Sequence, residues 1–488
     1  MLSWWSSLVI FGALTAAALT SALASGSPFR VTDVPADVCD NQGKGLVGYF
    51  DFDDNSTHLF FWLAESCGDP STDPVILWMT GGPGGSAIGA GLFLETGPCI
   101  VTSENKTSIN PHSWNSNANM LYLDVQANIG FSHSDAPAKA LEASTEDLYT
   151  FLEAFMRHFP QYATQDFYIV GESFAGISTP AIARKIHQKQ SSPLARLVRS
   201  TLASTRATIN LRGIALANAQ VSNRFMWLGY YVTGCLGDNP LFNGTICDAM
   251  AEANPRCEEV FKICEEADFN VDVCNSAIAY CRPRSVDVID LEHRNPYDIR
   301  QICTEEDSCN QSLAWVTRYL NSERTKKSLQ IDPGIEYKVL DLDVYNAYVA
   351  SGDSQHDSIF WVEELLEQVR PHLTTLLTTP QKPEMRIDYL IFHAMQGYEV
   401  LIYAGNKDWL CNSAGALHVA ENVRWRRQPE FQARELQSLR LRDRSIGKFK
   451  QEGGLAFVEV FDAGHSAPQD KREETLFMIN SWVRHRLH

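Results

Sequence analysis

Short apolar runs alternate along this chain with longer stretches in which apolar residues return every third or fourth position. Val75-Ile76-Leu77-Trp78-Met79 reads as a buried strand. So do Met120-Leu121-Tyr122-Leu123-Asp124, Phe167 to Val170, Leu211 to Ala217, Val400 to Ala404 and Phe457 to Val460. Between them, Leu148, Phe151, Leu152, Phe155 and Phe159 keep helical spacing until Pro160. Ser144-Thr145-Glu146-Asp147 has the form of a capping box for that helix. Pro180 to Ile186 predicts another helix, and Leu476, Phe477, Ile479, Trp482 and Val483 give an apolar helical face near the end. Strands alternating with amphipathic helices predict an α/β fold: a mostly parallel central sheet with helices on both faces.

Cysteine placement interrupts this pattern. Of 12 cysteines, Cys235, Cys247, Cys257, Cys264, Cys274, Cys281, Cys303 and Cys309 fall in one segment. Residues 220–350 therefore read as a disulfide-rich, largely helical insertion or cap. Residues 25–219 and 351–488 then form the two parts of the core. Residues 1–24 read as a signal peptide: Leu8 to Leu23 is apolar, and Ala22-Leu23-Ala24 offers a small-x-small cleavage site. Sequons at Asn55, Asn105, Asn243 and Asn310 join the leader and the cysteines in pointing to a glycoprotein. The expected location is extracellular, or the lumen of a vacuole or lysosome.

Composition narrows the partners. Hydrophobic content of 44% and charged content of 20% fit a globular protein, and 488 residues can bury a large core. The 41 basic and 59 acidic residues give a formal charge of −18 with no basic cluster, which argues against nucleic acid and anionic membranes as partners. No stretch beyond the leader is long and apolar enough to cross a bilayer.

The chemistry centres on Gly171-Glu172-Ser173-Phe174-Ala175-Gly176, between an apolar strand and a helix. A serine flanked by small residues in a strand-to-helix turn is the nucleophile elbow of an α/β-hydrolase. The order Ser, Asp, His is then completed by Asp408, on the loop after the strand ending at Ala404, and His465, after the strand Phe457 to Val460. A tetrahedral intermediate also needs N–H donors. Phe174 follows the nucleophile, and Gly81-Gly82-Pro83-Gly84-Gly85-Ser86 follows an earlier strand and suits that role. The glycine loop lacks a Gly-Lys-Ser/Thr ending, so it does not read as a phosphate loop.

Further motifs stand in order along the mature chain. They are Asp73 to Trp78 leading into Gly81 to Gly84, Gly91 to Pro98, Gly130-Phe131-Ser132 and the elbow. Tyr297-Asp298-Ile299-Arg300, Asp408 with Cys411-Asn412, and Ala463-Gly464-His465 follow. Together they resemble the serine carboxypeptidases, the carboxypeptidase Y-like family of the α/β-hydrolase superfamily, in a secreted fungal-type form. The resemblance implies a Ser173-Asp408-His465 triad and an oxyanion hole at the N–H groups of Gly82 and Phe174. It implies a substrate-carboxylate site at Trp78, Thr80, Gly81, Glu95 and Glu172, and pockets at Leu94, Phe174, Leu410 and Ser466. Cys411 is implied as an unpaired pocket cysteine. Implied bridges are Cys235–Cys247, Cys257–Cys281, Cys264–Cys274 and Cys303–Cys309. A Cys39–Cys67 bridge leaving Cys99 free is the expectation for the remainder. Substrates are peptides and proteins with a free C-terminus, and no metal or organic cofactor is called for.

The chain departs from that family at several positions. Thr80 replaces an asparagine that donates to the substrate carboxylate, and Gly85 replaces a cysteine. Val125-Gln126-Ala127-Asn128, Ala217-Asn218-Ala219 and Ser466 also differ. Two readings stay open: a carboxypeptidase active at acidic pH, and an acyltransferase in which a small-molecule nucleophile replaces water. A catalytically silent binding protein is a third, opposed by the complete triad.

Overall fold

The computed structural model describes residues 27–39, 44–52, 56–126, 128–191, 208–236, 240–303, 309, 311–368, 397–485 and 487. The leader, Asn55, Ala127 and Asn310 lie outside these.

The strands in chain order are β1 (Phe29–Asp33), β2 (Gly45–Phe52), β3 (Thr57–Ala64), β4 (Val75–Met79), β5 (Cys99–Ser103), β6 (Lys106–Ile109), β7 (Asn119–Leu123) and β8 (His133–Ser134). They continue with β9 (Phe167–Glu172), β10 (Leu211–Ala217), β11 (Arg294–Asn295), β12 (Asp298–Ile302), β13 (Glu399–Gly405), β14 (Gln437–Leu441), β15 (Arg444–Glu452) and β16 (Leu455–Val460). One 12-stranded sheet runs β1-β2-β3-β7-β4-β9-β10-β13-β16-β15-β14, with β8 beside β3. The stretch from β7 to β16 is parallel throughout, and antiparallel strands extend it at both ends.

Successive side chains of β4 enter opposite layers, as strand geometry requires. Val75, Leu77 and Met79 join one core with Leu148, Phe151, Ile182, Val362 and Val419, from the helices Leu141–His158, Ala175–Ser191, Ile359–Glu367 and Ser413–Asn422. Ile76 and Trp78 join the other, with Leu92, Val316 and Ile479. Burying each large apolar side chain contributes about 1.5–3 kcal/mol, so both faces of the central strands need helical cover. This is the α/β-hydrolase arrangement anticipated from the sequence.

Two helix starts differ from expectation. The helix expected to begin at a Ser144 capping box begins at Leu141, with Ala140 as N-cap. Ser144 and Thr145 lie inside its first turns, and their hydroxyls donate back to the Leu141 carbonyl at 3.1 and 2.6 Å. The Leu141 N–H instead donates to Asp353 Oδ2 at 2.8 Å, so a distant residue does the capping. The helix behind the elbow starts at Ala175, which puts Pro180 inside it. Proline cannot donate to the Gly176 carbonyl, and Ser358 Oγ takes that acceptor at 2.7 Å.

The cysteine-rich segment is largely helical, with helices Asn223–Cys235, Gly244–Glu266 and Val271–Cys281 around a small core that includes Trp227, Phe261 and Trp409. The four bridges implied for it are all formed. Outside it, the expected Cys39–Cys67 bridge is replaced by Cys39–Cys99, with Cα atoms 5.7 Å apart. Both partners are buried where the hairpin of β5 and β6 packs, whereas Cys67 is an exposed free thiol whose sulfur accepts from Asn115 Nδ2. Among the described residues no helix is long and apolar enough to cross a membrane.

Candidate active site

Ser173 stands directly after β9 with φ of 60°, a strained setting for a side-chain-bearing residue. Three backbone bonds hold the turn. Ser173 N–H donates to Ala217 O at 3.0 Å, and its own carbonyl accepts from Gly176 N and Gln220 N, both at 2.9 Å. The elbow's small residues are required by contact. Gly171 lies against Thr179 Oγ1, and Gly176 against Gln220 O, so closely that a Cβ at either would overlap. Ala175 occupies the second position after the serine.

The parallel strands β13 and β16 end side by side, with Gly405 paired to Val460. The loops leaving them bring Asp408 and His465 together: His465 Nδ1 and Asp408 Oδ2 are 2.7 Å apart. Asp408 is fully buried. It accepts from Leu410 N at 2.9 Å, Cys411 N at 3.2 Å and Asn218 Nδ2 at 2.8 Å. Burial disfavours the His465 imidazolium. The charge and hydrogen bond of Asp408 outweigh that, and the group titrates above its ordinary value.

Asn218 was visible in the sequence only as part of a departure, not as a site residue. It directly follows β10, has φ of 40°, and also donates to Gly464 O at 3.3 Å while accepting from Gly405 N at 3.2 Å. One side chain thus ties together both triad loops. Its position at the carboxyl end of a central strand was the available signal. The His465 loop is held further by His465 N to Tyr297 O at 2.8 Å and Gly464 N to Asp470 Oδ2 at 2.7 Å. Arg300 binds Asp298 and Asp470, at 2.7 and 2.8 Å.

The glycine loop lies on the elbow. A Cβ on Gly81 would overlap Phe174 N and come within 2.7 Å of Ser173 Cβ. Asp341 N donates to Gly84 O and Ser86 N to Val339 O, both at 3.0 Å, and Gly85 pairs with Leu340. Backbone bonding therefore anchors the loop at the position where Gly85 replaces the family's cysteine.

Ser173, His465, Gly81, Gly82, Thr80, Leu94, Glu95, Glu172 and Ser466 line one cavity of about 340 Å³. Trp78 is behind it, its indole N–H donating to Thr80 Oγ1 at 3.0 Å. Phe174, expected as a pocket residue, is buried against Tyr348 and does not line this cavity. Leu410 and Cys411, also expected there, do not line it either. The Asp408 loop turns both backbones toward the carboxylate, and Cys411 is buried beside the triad. Cys411, Asp408 and His465 offer ligand atoms within 4.8 Å of one another. Burial and the Asp408 charge push the Cys411 thiol well up, so it stands beside the triad as a protonated thiol.

Glu95 and Glu172 are buried, and among the described residues no protein donor reaches either oxygen of Glu95 or Oε1 of Glu172. Burial pushes Glu95 well above the carboxylate range, and the facing Glu172 pushes it further. Burial raises Glu172 too, and the His465 charge opposes the rise. The two carboxyls together therefore hold a proton to higher pH than free carboxyls do.

A model of the serine carboxypeptidase family matches residues 37–375 and 376–485. The chain belongs to the serine carboxypeptidase family. It is a serine-type carboxypeptidase. Carboxypeptidase Y homolog A of Sclerotinia sclerotiorum is 32% identical over 444 residues, which is 90% of this chain and 73% of that protein. Carboxypeptidase Y of Candida albicans is 31% identical over 467 residues, 95% of this chain and 78% of its own. Among solved structures, a prohormone-processing carboxypeptidase from Saccharomyces cerevisiae superposes with a TM-score of 0.67 at 19% identity, covering 93% of this chain and 95% of its own. That likeness is one of fold.

Proposed function

We propose that this serine carboxypeptidase removes C-terminal residues from peptides and proteins at acidic pH, with Ser173 as nucleophile, His465 as base and Asp408 as its orienting acid. His465 takes the Ser173 proton as Oγ attacks the last peptide carbonyl, and gives it to the departing amino acid. Water then clears the acyl-enzyme by the same route. The N–H groups of Gly82 and Phe174 stabilise the oxyanion, and loss of one such donor costs about 10²–10³ in turnover.

The observation that carries the acidic reading is the buried Glu95/Glu172 pair in the same cavity as Ser173. Protonated, the pair donates to the substrate's terminal carboxylate; ionised, it repels that carboxylate. Thr80 supports the same reading. Its oxygen already accepts from Trp78, so the hydroxyl proton is left for the substrate.

Binding and turnover respond to pH in opposite senses. Peptide binding is strongest when the pair is protonated and weakens as pH rises through the raised carboxyl values. His465 must be neutral to act, so turnover falls as pH drops below its own value. The Glu172 charge is one of the contributions holding His465 up. Protonating the pair removes that contribution and extends base catalysis to lower pH.

The leader, the five disulfides among the described residues and the sequons support a secreted or vacuolar protein. Asn105 and Asn243 are exposed. Asn243 caps its helix through Oδ1, which leaves its nitrogen open to a glycan.

The test is amino-acid release from blocked dipeptides between about pH 4 and pH 6, with Ser173→Ala as the control. Release by the wild type and none by the variant is expected. Cleavage fastest above neutral pH, or a binding profile unchanged in Glu172→Gln, would overturn the acidic mechanism.

A further inference from the structure

Arg472 stands at the start of the last long helix, beyond the histidine loop, and none of the motifs includes it. Its Nη1 donates to Glu95 O at 2.7 Å and its Nη2 to Leu94 O at 2.6 Å. These carbonyls close the helical segment Ala87–Thr96, whose last turn leaves acceptors without intrahelical donors. A cation there is a normal helix-end contact. Its setting goes further than that. The guanidinium is half-buried, binds two backbone carbonyls, and sits under the very residue whose carboxyl faces Glu172. Asp470, two positions earlier, holds Gly464 and with it the His465 loop.

We propose that Arg472 is a positioning residue for peptide binding: it fixes the Glu95 backbone, and its charge sets the pH above which the Glu95/Glu172 pair ceases to accept a substrate carboxylate. The inference rests on the carboxyl-pair mechanism proposed above.

The charges around the pair support this assignment. Glu95 feels Glu172 from the end of β9, and Asp470 and Arg472 from the C-terminal segment. Glu172 feels His465 from the loop after β16 and Asp408 from the loop after β13. Tyr122 on β7 and Tyr403 on β13 also sense Glu95, and both phenols are neutral at working pH. Arg472 is the cation on Glu95's side of the pair, opposing the anions Glu172 and Asp470. Burial lowers the guanidinium's own value, while Glu95 and Asp470 hold it up, and it stays charged. Its charge favours the ionised form of Glu95. Removing it therefore keeps the pair protonated to higher pH.

The experiment measures the dissociation constant of a blocked dipeptide against pH in a Ser173→Ala background, where no turnover interferes. Arg472→Gln is expected to move the high-pH limb of binding upward by about one pH unit. Arg472→Met, which keeps the aliphatic stem, serves as a second neutral variant. Arg472→Lys is expected to leave the limb near its wild-type position, because it keeps the charge. A helix-end contact alone predicts lower melting temperatures with an unmoved limb, and that result would overturn the proposal. An equal shift in Arg472→Lys and Arg472→Gln would overturn it too, because charge would not be the cause. If Glu172→Gln leaves the limb unmoved in the same assay, the carboxyl-pair mechanism itself fails, and the two failures are distinguishable.

Discussion

Asn218 donates to Asp408 Oδ2 at 2.8 Å, the same oxygen that His465 Nδ1 meets at 2.7 Å. The buried carboxylate is thus held by an amide just past β10 and by the imidazole from the loop after β16. Hydrogen bonds to charged groups contribute about 1.5–3 kcal/mol each. Asn218→Ala is accordingly expected to lower kcat/KM roughly 10- to 100-fold. Steady-state kinetics on a blocked dipeptide, with a melting curve to show the fold is kept, checks this.

Thr80 gives a second prediction. Thr80→Val removes the acceptor of the Trp78 indole N–H and the donor to the substrate. KM for peptides with a free C-terminus is expected to rise about tenfold, in line with the loss of one charge-assisted hydrogen bond. Thr80→Ser should retain wild-type KM. Equal KM values in Thr80→Val and the wild type would remove Thr80 from carboxylate binding.

The Cys39–Cys99 bridge joins positions separated by 60 residues. Restricting so long a loop in the unfolded chain is worth about 4 kcal/mol. The double variant Cys39→Ala/Cys99→Ala should lose stability of that order, read as a lower urea midpoint. Cys67→Ala should leave the midpoint near wild type, since Cys67 forms no bridge.

Asp357 links the core to the insertion. It is buried, accepts from Ser222 Oγ and Asn223 N, and faces Glu265, which in turn pairs with Arg224. Burial pushes its carboxyl up to about 7. The folded state then binds a proton that the unfolded state releases near pH 4, so stability falls as pH rises between about 4 and 7. Asp124, also at about 7, acts in the same direction. Asp357→Asn is expected to flatten part of this decline, measured as melting temperature against pH. A decline as steep as the wild type's would exclude Asp357 as a cause.

Much of the architecture was legible because strands and helices write their periods locally. Val75–Met79 and Leu211–Ala217 are strands at the expected bounds, and the other expected strands differ by a residue or two at their ends. The elbow could be read because its small residues and serine are neighbours along the chain, and Gly171 meets Thr179 one helix turn beyond the serine turn. The Leu141 helix start could not, since its cap, Asp353, is 212 residues away. The Cys39 partner was equally hidden, because cysteine spacing carries no information on which sulfurs approach.

The sequence by itself determined the periodicities, the strand-to-helix turn at Ser173 and the order of Ser173, Asp408 and His465. These depend on residues that are neighbours along the chain or on one element. Only the tertiary structure decided that Asn218 braces Asp408 across 190 residues, that Arg472 grips the Glu95 carbonyl across 377, and that Glu95 and Glu172 meet in the cavity that Ser173 lines. The reason is physical. Backbone sterics and side-chain pattern act over a few residues, whereas burial, charge coupling and hydrogen bonding act through space and exist only once the sheet has brought its strand ends together.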